Sequence, residues 1–338
     1  MKESEIILSL NQAKIGYHRK NNDFVLLDQV NLKIITGELT GLIGRNGSGK
    51  STLLRCIIYL QELLHGDIHF RNINIMNMHP NELAQNIAYV SSGLEYTETM
   101  TVRELVSLGR FPYTNWIGRL TSADIDLIEE ALVNIGIDQL AKSKLSEISD
   151  GERQKAMIAR TLAQNTPLIV LDEPTAFLDL PSKYDILSLL HDLTRKGKTV
   201  IYSTHDLNIA LRFSDKIWLI NNKTIHDGSP EDLILDKTIS GIFESDKIQL
   251  NEMTGDFELR KNYNKSLSLK CEIPYLYYWT RQSLQRSGYE IVEYNKSLPL
   301  VSVEQKGDKI IWNIQRFNEN LYFESIYDML TSCHGFAE

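Results

Sequence analysis

An α/β core built on a largely parallel sheet, followed by a small α+β domain, is the fold class this sequence predicts. Short apolar runs of strand length alternate with helix-length periodic segments over the first part of the chain, and a glycine-rich turn joins one such strand directly to a helix. A polar stretch, Arg260 to Lys265, then separates a C-terminal segment that carries its own pattern. The chain has 338 residues, so at about 100 to 200 residues per domain it should hold two. We set their limits at 1–262 and 263–338.

Composition narrows the function. Lys plus Arg total 36 against 44 Asp plus Glu, a net charge of -8, which argues against nucleic acid as the main partner because such binding draws on clustered positive charge. With 42% hydrophobic residues and 8 prolines the chain can bury a real core. Cys56, Cys271 and Cys333 lie far apart with no C-x-x-C spacing, so neither a disulfide framework nor a structural zinc site is expected, and a reducing compartment fits. Met1 to Leu10 is too acidic and its apolar run too brief for a signal peptide. No run approaches the ~18 to 20 apolar residues of a membrane helix.

Taken in order, Leu39 to Ile43 is an apolar strand, and Ser51 to Leu63 a helix with Leu53, Leu54, Ile57 and Ile58 at helical spacing. Thr101 with Glu104, and Thr121 with Asp124, are capping-box starts. The second puts Ile125, Ile128, Leu132 and Ile135 on one face, so residues from about 93 to 146 read as a helical insertion in the α/β core. Pro167 to Asp172 and Thr199 to Ser203 are strands separated by a helix from Lys183 to Arg195, the crossover that parallel pairing requires. Lys216 to Ile220 starts a hairpin turning at Asn221 and Asn222, and Ile248 to Leu259 a second turning at Gly255. In the last segment Ser266 to Cys271 and Glu290 to Glu293 read as strands, Tyr275 to Arg286 as a helix, Leu300 to Ile314 as a hairpin at Gly307, and Tyr322 to Leu330 as a helix.

Residues 44–51, Gly-Arg-Asn-Gly-Ser-Gly-Lys-Ser, satisfy G-x-x-x-x-G-K-[ST] after a strand and before a helix. This is a P-loop. Its glycines let successive backbone N–H groups and the helix N-terminus point at a phosphate. Gly44, Asn46, Gly47, Ser48, Gly49, Lys50, Ser51 and Thr52 are therefore candidate nucleotide-binding residues, with Lys50 reaching the β- and γ-phosphates and Ser51 ligating Mg²⁺. Leu168 to Leu171 ends in Asp172 and Glu173, which puts two carboxylates at the C-terminal edge of a buried parallel strand. There Asp172 would hold the metal and Glu173 would orient or deprotonate the attacking water. The pair with the P-loop specifies a nucleotide triphosphatase.

The segment Ile148-Ser149-Asp150-Gly151-Glu152-Arg153-Gln154, a serine-glycine turn entering a helix, resembles the signature motif of the ABC ATPases. Other family marks follow in order: Tyr17 where an aromatic stacks on adenine, Ala176-Phe177-Leu178-Asp179 as the D-loop, and His205 in Ser203-Thr204-His205-Asp206 as the switch histidine. A lone tyrosine is more often core and a lone histidine structural; the weight lies in the series. The resemblance covers about residues 5 to 260 and implies a RecA-like core with an inserted helical subdomain. Ser149, Asp150, Gly151 and Glu152 would act in trans, facing the ATP bound by a second subunit, with Glu173, His205 and Lys50 as the catalytic set. Two positions depart from the family. Ser92 stands where a glutamine ligates Mg²⁺ and contacts the permease, and Asp150 where glycine is usual; a carboxylate there is unfavourable unless it points away or pairs, with Arg153 the available partner.

Thr101 to Leu105 and Gly109 to Tyr113 look like the iron-siderophore, haem and cobalamin importers. That resemblance implies a homodimer beneath two integral-membrane permease subunits, fed by a substrate-binding protein, on the inner face of the cell membrane, consuming ATP with Mg²⁺. A soluble non-transport ABC ATPase and a weakly hydrolytic ATP-gated module are the alternatives. Tandem cassettes and sustained heptads, which the first usually carries, are missing from the sequence, and Lys50, Asp172, Glu173 and His205 oppose the second. The C-terminal segment is an addition for which a regulatory or dimer-stabilising role is expected. Its aromatic cluster, Tyr275, Tyr277, Tyr278 and Trp279, reads more readily as core than as a ligand pocket, and three groups, Cys271, Cys333 and His334, are few for a metal site.

Overall fold

The computed structural model describes residues 5–20, 22–91, 99–115, 118–176, 178–260, 263, 265–292, 294–295, 297–316 and 319–334, with backbone alone at 316, 333 and 334. By packing the chain divides into two compact units, Met1–Ile242 with Glu252–Asp256, and Phe243–Asn251 with Phe257–Glu338. Among the described residues no helix is long and apolar enough to cross a membrane.

In the first unit β1 (Ile6–Tyr17) and β2 (Phe24–Ile35) form a long antiparallel pair, and β3 (Leu39–Ile43) runs through the glycine-rich turn into α1 (Lys50–Ile57). β4 (His65–Phe70) and β5 (Ile73–Asn74) complete a four-stranded antiparallel sheet in the order β2-β1-β4-β5. Then come α2 (Pro80–Asn86), β6 (Ile87–Val90), α3 (Val102–Ser107), α4 (Ser122–Ile135), α5 (Asp150–Gln164), β7 (Leu168–Leu171), α6 (Leu180–Arg195), β8 (Thr199–Thr204), α7 (Leu207–Phe213), β9 (Lys216–Asn221), β10 (Thr224–Gly228), α8 (Pro230–Leu235) and α9 (Thr238–Phe243). The second sheet has the order β10-β9-β3-β8-β7-β6 and is parallel apart from the β9/β10 hairpin. α3 and α4, which fall in the expected helical insertion, and then α5 lie between the neighbouring strands β6 and β7.

Both faces of this sheet are covered, which is why its strands read as continuous apolar runs. Ile169, Leu171, Val200 and Tyr202 pack in one core with Met157 and Ile158 of α5 and Leu187 and Leu190 of α6. Leu168, Val170 and Ile201, one residue out of phase, point into the other core with Leu53, Leu54 and Ile57 of α1 and the inner face of the antiparallel sheet.

The β9/β10 turn sits one residue later than expected, at Asn222 and Lys223, both with positive φ (45° and 68°), as a two-residue hairpin of the right-handed twist requires. α6 starts three residues before Lys183, because Asp179 accepts the Ser182 N–H at 3.0 Å and Pro181 suits the first turn.

In the second unit β11 (Ile248–Leu250) and β12 (Phe257–Leu259) form the expected hairpin. β13 (Lys265–Cys271), α10 (Pro274–Arg286), β14 (Tyr289–Val292), β15 (Leu300–Lys306), β16 (Lys309–Arg316) and β17 (Glu319–Phe323) give a mixed sheet in the order β14-β13-β15-β16-β17, followed by α11 (Ile326–His334). The helix expected over Tyr322 to Leu330 is corrected here: Tyr322 and Phe323 end β17, and α11 starts after Ser325, whose hydroxyl caps the Asp328 N–H at 3.1 Å. The aromatic cluster is corrected too. Tyr275, Tyr278 and Trp279 are 55%, 46% and 61% exposed, while Leu276, Thr280, Ser283 and Leu284 carry the buried stripe of α10.

Candidate functional site

The topology brings three strand ends together. β3 pairs with β8 and β8 with β7, so the P-loop after Ile43, the Asp172-Glu173 pair after Leu171 and His205 after Thr204 all leave the same, C-terminal edge of the sheet.

Gly47 (φ 77°) and Gly49 (φ 107°) hold left-handed conformations that a side chain would resist, and a Cβ on Gly49 would also crowd Leu26 at 3.3 Å. Gly49 caps α1, and Arg45, Asn46 and Gly47 are exposed on the loop ahead of its N-terminus. Lys50 is 6% exposed and its Nζ donates to the Gly44 carbonyl at 2.9 Å, so the ammonium is folded back over the loop. Burial pushes its pKa below the usual lysine range, and the carboxylates of Glu173 and Asp172 push the other way. Thr52 is buried and shares a hydrogen bond of 3.0 Å with the hydroxyl of Tyr17, which is 43% exposed at the end of β1.

Asp172 is 1% exposed, and its Oδ1 accepts from the Ser203 hydroxyl at 2.6 Å. Its Oδ2 is buried with no hydrogen-bond partner among the described residues. A buried carboxylate oxygen without a donor is costly unless a cation completes it, and an oxygen ligand at the sheet edge that also carries the P-loop suits Mg²⁺. The same Ser203 oxygen accepts the N–H of Glu173 at 2.9 Å. Glu173 sits at φ 52°, an uncommon conformation for a non-glycine residue and a form of local strain found at working sites. Its Oε2 lies 3.7 Å from Nδ1 of His205. Ser203 is the residue that sequence reasoning assigned no role; its place two residues before His205, at the end of an apolar strand, was the available signal.

The signature residues are placed by α5. Ser149 is its N-cap and forms a capping box with Glu152: the Ser149 oxygen accepts the Glu152 N–H at 3.3 Å while Oε2 of Glu152 accepts the Ser149 N–H and hydroxyl, each at 2.8 Å. Those two hydrogen bonds, the backbone one first, hold the Glu152 carboxyl below the usual range. Asp150 forms an ion pair with Arg153, one of the two arrangements under which the sequence reading allows a carboxylate at this position. Gly151 faces Leu178 at 3.4 Å from an added Cβ. Asp179 spends its carboxylate on capping α6, where the Ser182 hydroxyl and N–H lower its pKa. Ser92 and Phe177 lie outside the described residues, as do the side chains of Cys333 and His334.

The Gly109 to Tyr113 segment also has a structural reason. A Cβ on Gly109 would sit 2.1 Å from the Arg160 carbonyl oxygen, so only glycine lets this turn lie on α5. Arg110 is buried; it donates to Asp124 at 2.8 Å and to the carbonyls of Ala163 and Gln164 at 2.9 and 3.3 Å, under the ring of Tyr113 at 3.9 Å. It satisfies the C-terminal carbonyls of α5 and ties α4 to it.

A P-loop on a parallel sheet with an acidic pair and a histidine at the same edge defines a P-loop nucleotide triphosphatase. Residues 27–176 match the ABC transporter family and residues 265–332 the iron ABC transporter C-terminal domain. The chain is 38% identical to a petrobactin import ATP-binding protein of Bacillus anthracis, over 65% of this chain and 81% of that protein. It is 34% identical to the ferric enterobactin transport ATP-binding protein of Escherichia coli K12, over 72% and 89%. Its fold is similar to an inward-facing ABC transporter of the metal-chelate type (TM-score 0.63, 25% identity, 77% of this chain and 98% of that one). It is also similar to a dimeric bacterial ABC transporter cassette (TM-score 0.59, 29% identity, 66% and 98%). This chain belongs to the ATP-binding proteins of the ABC transporters and is an ATPase.

Proposed function

We propose that this chain is the ATP-hydrolysing subunit of an importer for iron chelates, with haem and cobalamin as the neighbouring substrate classes. The names of its relatives and the match of residues 265–332 to an iron transporter domain support the substrate class. In this reading two copies sandwich two ATP molecules beneath two permease subunits, on the inner face of the membrane, and a substrate-binding protein delivers the cargo. The cassette spans 1–262, with its helical subdomain at about 93–146, and 263–338 is an accessory domain.

The observation that carries the mechanism is the grouping of Lys50, Asp172, Glu173 and His205 at one sheet edge, with one oxygen of Asp172 buried and unpartnered. Gly44, Asn46, Gly47, Ser48, Gly49 and Thr52 line the phosphates and Tyr17 faces the adenine. Ser51 and Asp172 would hold Mg²⁺, with Ser92 as a further ligand. The ion supplies charge neutralisation at the β- and γ-phosphates. Lys50 lies over the loop, donating to the Gly44 carbonyl, placed to balance the charge that spreads over the transferring phosphoryl group. Glu173 orients the attacking water and takes its proton, and His205, beside it, contacts the γ-phosphate. Ser149, Asp150, Gly151 and Glu152 present the N-terminus of α5 to the nucleotide of the other copy, with Asp179 marking the adjoining D-loop.

The test is steady-state ATP hydrolysis by the purified chain, alone and with its candidate permease. Turnover that responds to the permease supports the importer. ATP binding with no hydrolysis in either setting would make the cassette a nucleotide-gated switch instead.

A further inference from the structure

The first turn of α5 carries Asp150, Glu152 and Arg153; Glu152 is held in the capping box with Ser149, and the other two bear opposite charges in very different surroundings. Asp150 is its first residue, and its side chain is 66% exposed. Arg153, one turn later, is 17% exposed, and its Nη1 donates to the carbonyls of Leu145 at 3.1 Å and Ile148 at 2.7 Å. Nη2 of the same guanidinium ion-pairs with Asp150. The cation is thus anchored on the backbone that leads into the helix, and from that anchor it reaches the carboxylate at the helix tip. Arg is suited to this because its rigid fork can serve carbonyls and a carboxylate at once.

A helix N-terminus attracts anions through its unpaired N–H groups, and a bare carboxylate at its first position competes with any phosphate for them. We propose that Arg153 is a positioning residue that cancels the charge of Asp150, so that the tip of α5 can receive the phosphate of ATP held by a second copy of this chain. The proposal rests on the reading of Ser149 to Glu152 as acting in trans, and deepens it. Asp150 and Arg153 then form one unit. Loss of the cation alone repels the phosphate, loss of the carboxylate alone attracts it, and loss of both returns the tip to the net charge it has with the pair intact, the capping Glu152 being unchanged throughout.

The experiment uses the full chain in a Glu173→Gln background and follows dimer formation against ATP concentration by light scattering on a sizing column. Arg153→Gln should raise the ATP midpoint about tenfold, and adding Asp150→Gly should bring it back to within about threefold of the background protein. Asp150→Gly alone should lower the midpoint. The effect of Arg153→Gln should shrink between 50 and 500 mM salt, about a threefold change in screening length, which a purely structural role would not produce. Arg153→Lys, which keeps the charge, should stay nearer the background than Arg153→Gln and guards against a folding defect in the glutamine variant. A double variant no better than Arg153→Gln, or a lysine variant equally impaired, overturns the proposal and leaves Arg153 as a clamp on Leu145 and Ile148. If the background protein itself fails to dimerise with ATP, the trans reading falls first, and the proposal with it.

Discussion

The Ser203 hydroxyl donates to Oδ1 of Asp172 across 2.6 Å and accepts the N–H of Glu173 at 2.9 Å. One side chain from β8 therefore fixes both acids at the end of β7. The orientation leaves Oδ2 of Asp172 free of protein donors among the described residues and the Glu173 carboxylate beside His205.

Ser203→Ala removes both hydrogen bonds without changing a residue of the P-loop. We expect a loss of about 1–3 kcal/mol in stability, since a buried acceptor loses its donor. Turnover should fall at least about tenfold while the Kd for ATP changes less than about threefold, the pattern of an interaction used in the reaction and not in binding. Parallel binding and hydrolysis measurements check it; equal losses in both would contradict it.

Arg110→Met leaves Asp124 buried without its cation and the Ala163 and Gln164 carbonyls without a donor. Breaking a buried pair from one side costs about 3–5 kcal/mol, read as a drop in the urea midpoint. Gly109→Ala should also destabilise, because its Cβ meets the Arg160 carbonyl oxygen at 2.1 Å.

Asp124 gives an acid-side pH dependence. The Thr121 hydroxyl and N–H, with Arg110, hold its carboxyl below the usual aspartate range. A depressed carboxylate pKa contributes stability above the unfolded value of about 3.9, and that contribution is lost as pH falls through the folded value. Urea midpoints measured downward from about pH 5 should therefore fall more steeply for the wild type than for Asp124→Asn.

In the second unit the buried Trp312 Nε1 donates to Thr280 Oγ1 at 2.9 Å. Thr280→Val keeps the shape but strands the indole N–H, which should cost about 1–3 kcal/mol. Unfolding followed by tryptophan fluorescence reports it, and an unchanged midpoint would mean that the N–H finds another acceptor.

Much of this was legible in the sequence, and the gaps have physical causes. The P-loop, the acidic pair and the capping boxes at Thr101 and Thr121 depend on neighbours within a few residues, so local spacing reveals them; the same S-x-x-E spacing at Ser149 is read in the sequence only as a turn entering a helix. β1 and β2 were not legible as strands: pairing shifts between Leu10 and Ala13, and between Ala13 and Ile15, break the alternation that marks a half-buried strand. The aromatic face of α10 misled because tyrosine and tryptophan suggest core, while the contacts are made by Leu276, Thr280 and Leu284 on the opposite stripe. Ser203 could not be weighted from the chain alone, since its two partners lie about thirty residues away and meet it only through the β7/β8 pairing.

The most direct measurement is ATP hydrolysis under single-turnover conditions by the wild type and by Glu173→Gln. We expect the wild type to convert bound ATP to ADP, and Glu173→Gln to bind ATP and accumulate as a closed, ATP-loaded dimer with hydrolysis reduced at least about a hundredfold. Hydrolysis by Glu173→Gln at close to the wild-type rate would remove Glu173 from the chemistry, and with it the mechanism set out for this edge of the sheet.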